Sequence, residues 1–281
     1  ERLLRLLPLI QVIKEYQIDS HMSFKKVAHH VASKHRDEDI HADFMRLFGH
    51  SHQHISVYRI NEPDLSKIRE PIIKHPSVYF ERVIQPDGTI LEDYLIELNY
   101  RFVQLVGESY NKRDIKYLWP VRVKVSKQEL EIRLHPMKQG YKRSADGIMF
   151  DKRDVEEKDI CRWVLEGVPS AQADQLKDFN KGIKHLLNID SIDAVKAIAR
   201  SATSVEQITM QEGNLLKKSE PARYAEMIKK PIEESNFVVT LNADYPIAFT
   251  ANPSDGYFSF PTLQANPVAI DNIINLIIAN N

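Results

Sequence analysis

Apolar and polar residues alternate strictly at the centre of the stretch 111–143. A period of two is typical of a strand that is buried on one face only, so this stretch is predicted to form a β-hairpin. The apolar positions are Val121, Val123, Val125, Leu130, Ile132 and Leu134. The other face carries Arg122, Lys124, Glu131 and Arg133, and it is predicted to be wet and cationic.

Helical spacing of apolar residues prevails before this hairpin. Three segments between Pro8 and Gly49 place apolar side chains three and four positions apart, and Ser23 suits a helix cap. Residues 1–72 are therefore predicted to form a helical subdomain. Three short helices in succession are compatible with a DNA-binding helix-turn-helix, but a small bundle without DNA is the preferred interpretation.

The pattern changes at about Ser77. A strand is predicted over 77–84, followed by a turn at Pro86, Asp87 and Gly88. The next run, 90–107, is ambiguous between helix and strand, and its β-branched and aromatic residues favour a strand. Together with the hairpin, these strands predict an antiparallel β subdomain over residues 73–150.

The last part, 151–281, is predicted to be a helical segment followed by a β-meander and a final helix. The helical segment includes 191–202, capped by Asp190, and 204–210, opened by a Ser204–Gln207 capping box. The final helix is apolar nearly all round, so its faces are covered either by the sheet or by a partner. The predicted fold class is α+β.

Composition narrows the function classes. Of 281 residues, 43% are hydrophobic and 27% charged, as in ordinary soluble globular proteins, and neither terminal apolar run suits a membrane span. The net charge of −1 limits any nucleic-acid contact to a local patch. A single cysteine, Cys161, allows no internal disulfide, which favours the cytoplasm. The nine glycines are too widely spaced for a dinucleotide fingerprint or a Walker A loop.

The strongest charge feature is the hairpin region itself. Between 111 and 143, ten cations face three acids. Arg122, Lys124 and Arg133 are expected on the sheet face, and the other cations mainly on flanking loops. Such a groove suits phosphates, and aromatic side chains can stack on bases. The predicted nucleic-acid contacts are Lys112, Arg113, Lys116, Arg122, Lys124, Lys127, Arg133, Lys138, Lys142 and Arg143, with Trp119 and Tyr141. An ordinary solvated sheet face, or a site for an acidic protein, explains the same charges.

Histidines are concentrated near the N-terminus, with eight of eleven between His21 and His54. In an extended chain His50, His52 and His54 would share a face, as three ligands of a zinc ion do. A solvated polar region at a helix end is the preferred alternative, and no cofactor is assigned.

A second enzymatic hypothesis is a metal-dependent nuclease. Pro86-Asp87 and the later Asp114-Ile115-Lys116 resemble the loose pattern of one nuclease superfamily, in which two carboxylates hold Mg²⁺ and a lysine orients water. The turn at Asp87 already explains that residue. No serine-nucleophile motif is found, so enzymatic activity is not favoured.

The function predicted from these patterns is a non-enzymatic subunit of a larger assembly that binds nucleic acid, specifically DNA backbone, through the central sheet. One alternative is a protein-protein scaffold or adaptor that uses the N-terminal helices and the last helix, with self-association. The other is the metal-dependent nuclease or hydrolase.

Overall fold

The computed structural model describes residues 3–19, 21–60, 76–126, 128–136, 141–144, 147–152, 155–166, 178–240, 246–261 and 266–281. It gives the backbone alone for residues 100, 102, 113, 115, 141–144, 147–152, 240 and 246. The structure is α+β, as predicted. N-terminal helices come first, a central antiparallel sheet follows, and the C-terminal strands precede a final helix.

The helices and strands have the following bounds. The helices are α1 (Leu9–Tyr16), α2 (Phe24–Lys34), α3 (Asp37–Leu47), α4 (Glu157–Glu166), α5 (Asn180–Asn188), α6 (Leu216–Ser219), α7 (Pro221–Met227) and α8 (Pro267–Ala279). The strands are β1 (Gln53–Arg59), β2 (Ser77–Ile84), β3 (Ile90–Val106), β4 (Ser109–Val125), β5 (Glu129–Leu134), β6 (Tyr141–Ser144), β7 (Gly147–Lys152), β8 (Ile192–Arg200), β9 (Val205–Thr209), β10 (Ile232–Thr240), β11 (Pro246–Asn252) and β12 (Tyr257–Phe260).

The twelve strands that the structure describes belong to one sheet, in the order β6-β7-β3-β4-β5-β1-β12-β11-β10-β8-β9, with β2 paired to β3. Every pairing among them is antiparallel. Strand β1 pairs with β5 on one side and with β12 on the other. It therefore joins the hairpin half of the sheet to the C-terminal half.

Two groups of helices cover the same face of this sheet. Directly paired residues share a face, and Ile55 pairs with Arg133, Arg133 with Arg122, and Arg122 with Asp93. Ile55 belongs to the core that α5 to α8 cover, whereas Leu95, two residues after Asp93, belongs to the core beneath α1 to α3. The polar face of the hairpin thus lies where the two groups of helices meet.

Helix α4 covers the opposite face of the hairpin half. Its buried residues Ile160, Trp163 and Val164 pack with the apolar positions predicted for the hairpin, and Trp119 lies in the same core. The alternation of those six positions correctly predicted a buried surface, because all of them are buried. The prediction was wrong for the other face of the hairpin, which was expected to be exposed to solvent.

Three segments predicted as helices are strands. Residues 53–59 form β1, so the helical part ends with the 3-10 turn Phe48–His50, and residues 61–72 lie outside the described chain. The segments 191–202 and 204–210 largely form β8 and β9 rather than capped helices. In β8 the small residues Ala194, Ala197 and Ala199 are buried. Pairing with β10 and packing against the helices outweigh the helical spacing of its apolar residues.

The final helix α8 is buried by this protein itself. Ile270, Ile273, Ile274 and Ile277 all lie in the core of the C-terminal half. The prediction left open whether the sheet or a partner covers this helix, and it is the sheet together with α5 that does so. None of the described helices combines the length and the apolar character needed to cross a lipid bilayer.

Candidate nucleic-acid interface

Arg122, at the centre of the predicted cationic face, is engaged inside the protein. Its guanidinium group donates two hydrogen bonds to Asp93, at 2.7 and 2.8 Å, and a third to the carbonyl oxygen of Met45 at 2.7 Å. The group also lies 5.7 Å from the centre of the Phe48 ring. Arg122 therefore joins the sheet to the end of α3, and its donors point away from any phosphate in solution.

Arg133 and Lys124 share a buried acid. Glu131 accepts a hydrogen bond from Arg133 Nη2 at 2.6 Å and one from Lys124 Nζ at 2.9 Å. Arg133 also donates to Asp271 of α8 at 2.6 Å. Burial opposes ionisation of Glu131, but the two cations outweigh it, so the pKa of Glu131 lies below its ordinary value. The group is an internal ion-pair network beneath the helices.

The expected wet cationic face is therefore wrong for the central sheet. Only 7% of the Arg133 side chain is exposed, and 23% and 24% of the Arg122 and Lys124 side chains. Every one of these cations is paired with a carboxylate. The sequence shows the surplus of positive charge, but the acids that neutralise it come from β3, β5 and α8.

Trp119 is also unavailable for stacking on a base. Its ring is fully buried between the sheet and α4, and its Nε1 donates to the carbonyl oxygen of His135 at 2.9 Å. Trp119 therefore belongs to the hydrophobic core on the α4 side of the sheet. Tyr117, two residues earlier, is partly buried against the same core.

The remaining predicted contacts lie farther out on the sheet. Lys112 and Arg113 were expected on a flanking loop but belong to β4, which is 17 residues long and also includes Lys116. Tyr141, Lys142 and Arg143 belong to β6, described by its backbone alone. Lys127 and Lys138 lie outside the described residues.

We call the outer part of the long hairpin the distal arm, namely residues 99–106 of β3 and 109–116 of β4 with their connecting turn. Strand β7 pairs with the arm at Arg101 to Leu105, and β6 pairs with β7. No side chain that the structure describes in the arm is buried. The arm thus stands outside the three hydrophobic cores.

The ion pairs of the distal arm are exposed. Arg101 donates to Asp114 at 2.7 and 3.1 Å, and about half of each side chain is open to solvent (52% and 54%). Lys116 Nζ lies 2.9 Å from Glu97, with 72% of the lysine side chain exposed. Lys112 is exposed as well.

The three histidines considered for zinc do not act together. His50 lies in the 3-10 turn after α3, whereas His52 and His54 lie on one side of β1 and its approach. The rings of His52 and His54 are 5.2 Å apart, and the ring of His135, which follows β5, lies 6.2 Å from that of His52. Burial, with the neighbouring His52 next in importance, lowers the pKa of His135 to about 4.

Hydrogen bonds orient His52 and His54 towards different partners. His54 Nδ1 lies 2.9 Å from Glu157 of α4, and His52 Nε2 lies 3.1 Å from Ser259. Glu157 thus points from α4 towards β1. Within the described part of the chain, no three histidine, cysteine or acidic side chains are grouped to hold a metal ion.

The nuclease pattern does not assemble either. Asp87 accepts a hydrogen bond from the Thr89 amide in the turn before β3, at one end of the hairpin. Asp114 pairs with Arg101, eleven residues along β3 from Ile90. At about 3.3 Å per residue the two carboxylates are roughly 35 Å apart. They cannot bind one Mg²⁺ ion.

The partners of the cations and histidines described above could not be identified from the sequence around them. Asp93, Asp271 and Glu157 are ordinary surface-type acids in the sequence, and His135 stands alone after β5. Only the pairing of distant strands and helices brings them to their partners. The chain matches no protein-family model and no curated protein sequence. Function is therefore inferred from the residues and their geometry.

Proposed function

We propose that this protein is a non-enzymatic subunit of a larger assembly, located in the cytoplasm, that binds nucleic-acid backbone through the distal arm. The observation that carries this proposal is that the described arm cations Arg101, Lys112 and Lys116 are exposed. Those of the central sheet are paired inside the protein. Between residues 99 and 116 four cations stand against two acids. The proposed site therefore moves from the central sheet to the arm, and the proposed interaction is still that of cationic side chains with phosphates.

The strength of the two kinds of ion pair supports this choice. An exposed pair such as Arg101–Asp114 contributes about 0–1 kcal/mol, so a phosphate can replace the carboxylate at little cost. Separating Arg133 from Glu131 takes from a buried carboxylate one of its two cationic partners. Breaking a buried pair costs about 3–5 kcal/mol. A phosphate can therefore bind to the cations of the arm with little loss of stability. Binding to the cations of the central network would require breaking buried ion pairs.

The shape of the arm fits the same function. Its eight residues per strand extend roughly 26 Å beyond the hydrophobic cores, and Tyr110 near its tip is 65% exposed. Because β7 and β6 pair beside β3, the arm is the outer part of a small sheet and not a lone ribbon. Strands of sheets as well as of ribbons contact DNA grooves in several protein families, and exposed aromatic rings stack on unpaired bases. Tyr110 thus takes the stacking role that the sequence had suggested for Trp119.

Fluorescence anisotropy with single-stranded and duplex oligonucleotides across a salt series tests the proposal. Lys112→Glu combined with Lys116→Glu is expected to weaken binding by about tenfold or more and to reduce the salt slope by about two, since two phosphate contacts are lost. Tyr110→Ala should weaken single-strand binding more than duplex binding.

Lys25→Glu combined with Lys26→Glu is the matched control, because these exposed lysines of α2 lie outside the arm. The control variant keeps the overall charge equal to that of the arm variant. Equal losses in the two variants would point to a general charge effect and contradict the arm as the site. Absence of binding at low salt would reject nucleic acid altogether.

An exposed apolar edge favours the second candidate, a protein-protein scaffold. Strand β2 pairs with β3 along one edge, and no other described strand pairs with it. Its residues Val78, Phe80, Val83 and Ile84 are 40% to 68% exposed. Such an edge can accept a strand from a partner. The N-terminal helices and α8, which the scaffold hypothesis first used, pack on this protein's own sheet.

Light scattering distinguishes this candidate from the first. If β2 mediates self-association, Ile84→Lys should lower the measured mass, while Val268→Lys, at an equally exposed position on α8, should leave it unchanged. An unchanged mass in both variants would exclude self-association through β2.

A further inference from the structure

A cavity of about 590 Å³ lies between β1, β12 and α4, on the sheet face opposite the two helical groups. Strand β1 contributes His54, Ser56 and Tyr58, and α4 contributes Cys161 and Leu165. The volume lies within the range of small-molecule cavities. Apolar and aromatic side chains supply most of the lining, and the distal arm takes no part in it.

The His54–Glu157 pair determines which hydrogen bonds the cavity can offer. An ionised carboxylate only accepts hydrogen bonds, so the Nδ1 atom of His54, 2.9 Å from Glu157, must carry a proton. Whenever His54 holds a single proton, its Nε2 atom is therefore an acceptor. Among the described residues, Glu157 supplies the one hydrogen bond found for the His54 side chain.

The charged residues at the rim of the cavity cancel. Lys158 pairs with Glu156 at 2.9 Å and Arg162 with Asp159 at 3.1 Å. These two acids do not line the cavity, whereas Glu157 and Glu166 do. Two cations and two acids thus border the cavity, and neither sign dominates. The lining suits a neutral molecule better than an ion.

Cys161 does not act as a nucleophile in this cavity. Its side chain is buried, and burial raises the pKa of the thiol to about 11. The thiolate, which is the reactive form, is therefore scarce at neutral pH. Tyr58 and Ser56 beside the thiol oppose this rise of the pKa only in part. The cavity is therefore suited to reversible binding of a ligand and not to covalent reaction with Cys161.

We propose that this cavity binds a neutral, largely apolar small molecule with a hydroxyl group, of the phenol or alcohol class, which donates its hydrogen bond to His54 Nε2. Leu134, Leu165 and Tyr257 surround the apolar part of the ligand. Glu157 is a positioning residue that keeps the proton on Nδ1. The proposal stands independently of nucleic-acid binding.

Two matched probes test the hydrogen bond directly. The compounds are 4-ethylphenol and its methyl ether 4-ethylanisole, which has the same apolar body and no donor. Nuclear magnetic resonance of ¹⁵N-histidine-labelled protein should show a shift of the His54 Nε2 signal with the phenol. The phenol is expected to bind about tenfold tighter than the ether, as one hydrogen bond requires.

Variants identify the site. Leu165→Trp should fill the cavity and abolish binding of both probes. Glu157→Gln should remove the preference for the phenol, because an amide can donate to Nδ1 and leave the proton on Nε2. Glu156→Gln, the adjacent exchange outside the cavity, should preserve both affinities. If Leu165→Trp does not fold, the probe pair and Glu157→Gln still decide the outcome.

The proposal is overturned if the phenol leaves the His54 signal unchanged at millimolar concentration, or if both probes bind equally well to the unaltered protein. Retained phenol binding in a folded Leu165→Trp variant would also reject this cavity as the site.

Discussion

Arg133 on β5 donates a hydrogen bond of 2.6 Å to Asp271 on α8, across 138 positions of sequence. The same guanidinium group holds Glu131 within its own strand. One side chain therefore connects the hairpin half of the sheet to the last helix of the chain. Its charge is used for holding the fold together beneath the helices.

Replacing Arg133 by methionine should lower the free energy of unfolding by about 3–5 kcal/mol, because Glu131 loses a buried partner. Asp271→Asn should cost about 1 kcal/mol or less, since the Asp271 side chain is 46% exposed. Urea denaturation measures both changes. Lys116→Met, at an exposed ion pair, is the control and should cost about 0–1 kcal/mol. Equal effects of Arg133→Met and Lys116→Met would contradict the buried network.

Arg122→Lys should loosen the N-terminal helices. A lysine keeps the charge but cannot bind Asp93 with two parallel hydrogen bonds while reaching the Met45 carbonyl group. We expect the free energy of unfolding to fall by about 2 kcal/mol and amide exchange in α3 to become faster. Arg101→Lys is a close control, because Arg101 makes the same two-bond contact with Asp114 on the exposed arm. Unaltered exchange in α3 would speak against the role of Arg122.

His135 should make the protein less stable in acid. Its pKa is lowered from 6.5 to about 4, chiefly by burial, so the unfolded chain binds a proton more readily than the folded one. Above pH 6.5 this difference in pKa costs no stability. As the pH falls from 6.5 towards 4, it lowers the free energy of unfolding progressively. The shift corresponds to about 3 kcal/mol. His135→Gln should flatten this part of the stability profile, measured by urea unfolding at several pH values. Identical profiles would exclude the effect.

Gly182 should tolerate no side chain, although it lies within a helix. A Cβ atom there would overlap the carbonyl oxygen of Ile277 on α8. Glycine to alanine normally stabilises a helix by about 1 kcal/mol, but here the clash should cost at least about 2 kcal/mol. Gly107→Ala has open space around it and a φ of +60°, so it should cost only about 1 kcal/mol. Thermal unfolding compares the two, and a stabilised Gly182→Ala variant would contradict the close α5–α8 contact.

Local patterns were sufficient for much of the fold. Helices α1 to α3 and α8 follow from helical spacing. Strands β2, β3 and β5 and the inner part of β4 follow from alternation, β-branched content and the turn at Gly88, whereas the outer part of β4 was expected to be a loop. Strands β8 and β9 did not follow, because their residues meet helix and strand criteria at once. β8 forms a strand because it pairs with β10, which begins forty residues later in the chain.

The sequence by itself determined that the hairpin 111–143 would bury one apolar face and collect positive charge on the other. It could not determine where that charge would be used. The tertiary structure brings Asp93, Glu131 and Asp271 to the central cations and covers them with helices, because a buried charge is stable only beside its opposite. Cations on the arm beyond the core escape this pairing requirement, since water stabilises them. For this physical reason the hairpin cations that the structure describes as exposed, Arg101, Lys112 and Lys116, all belong to the distal arm.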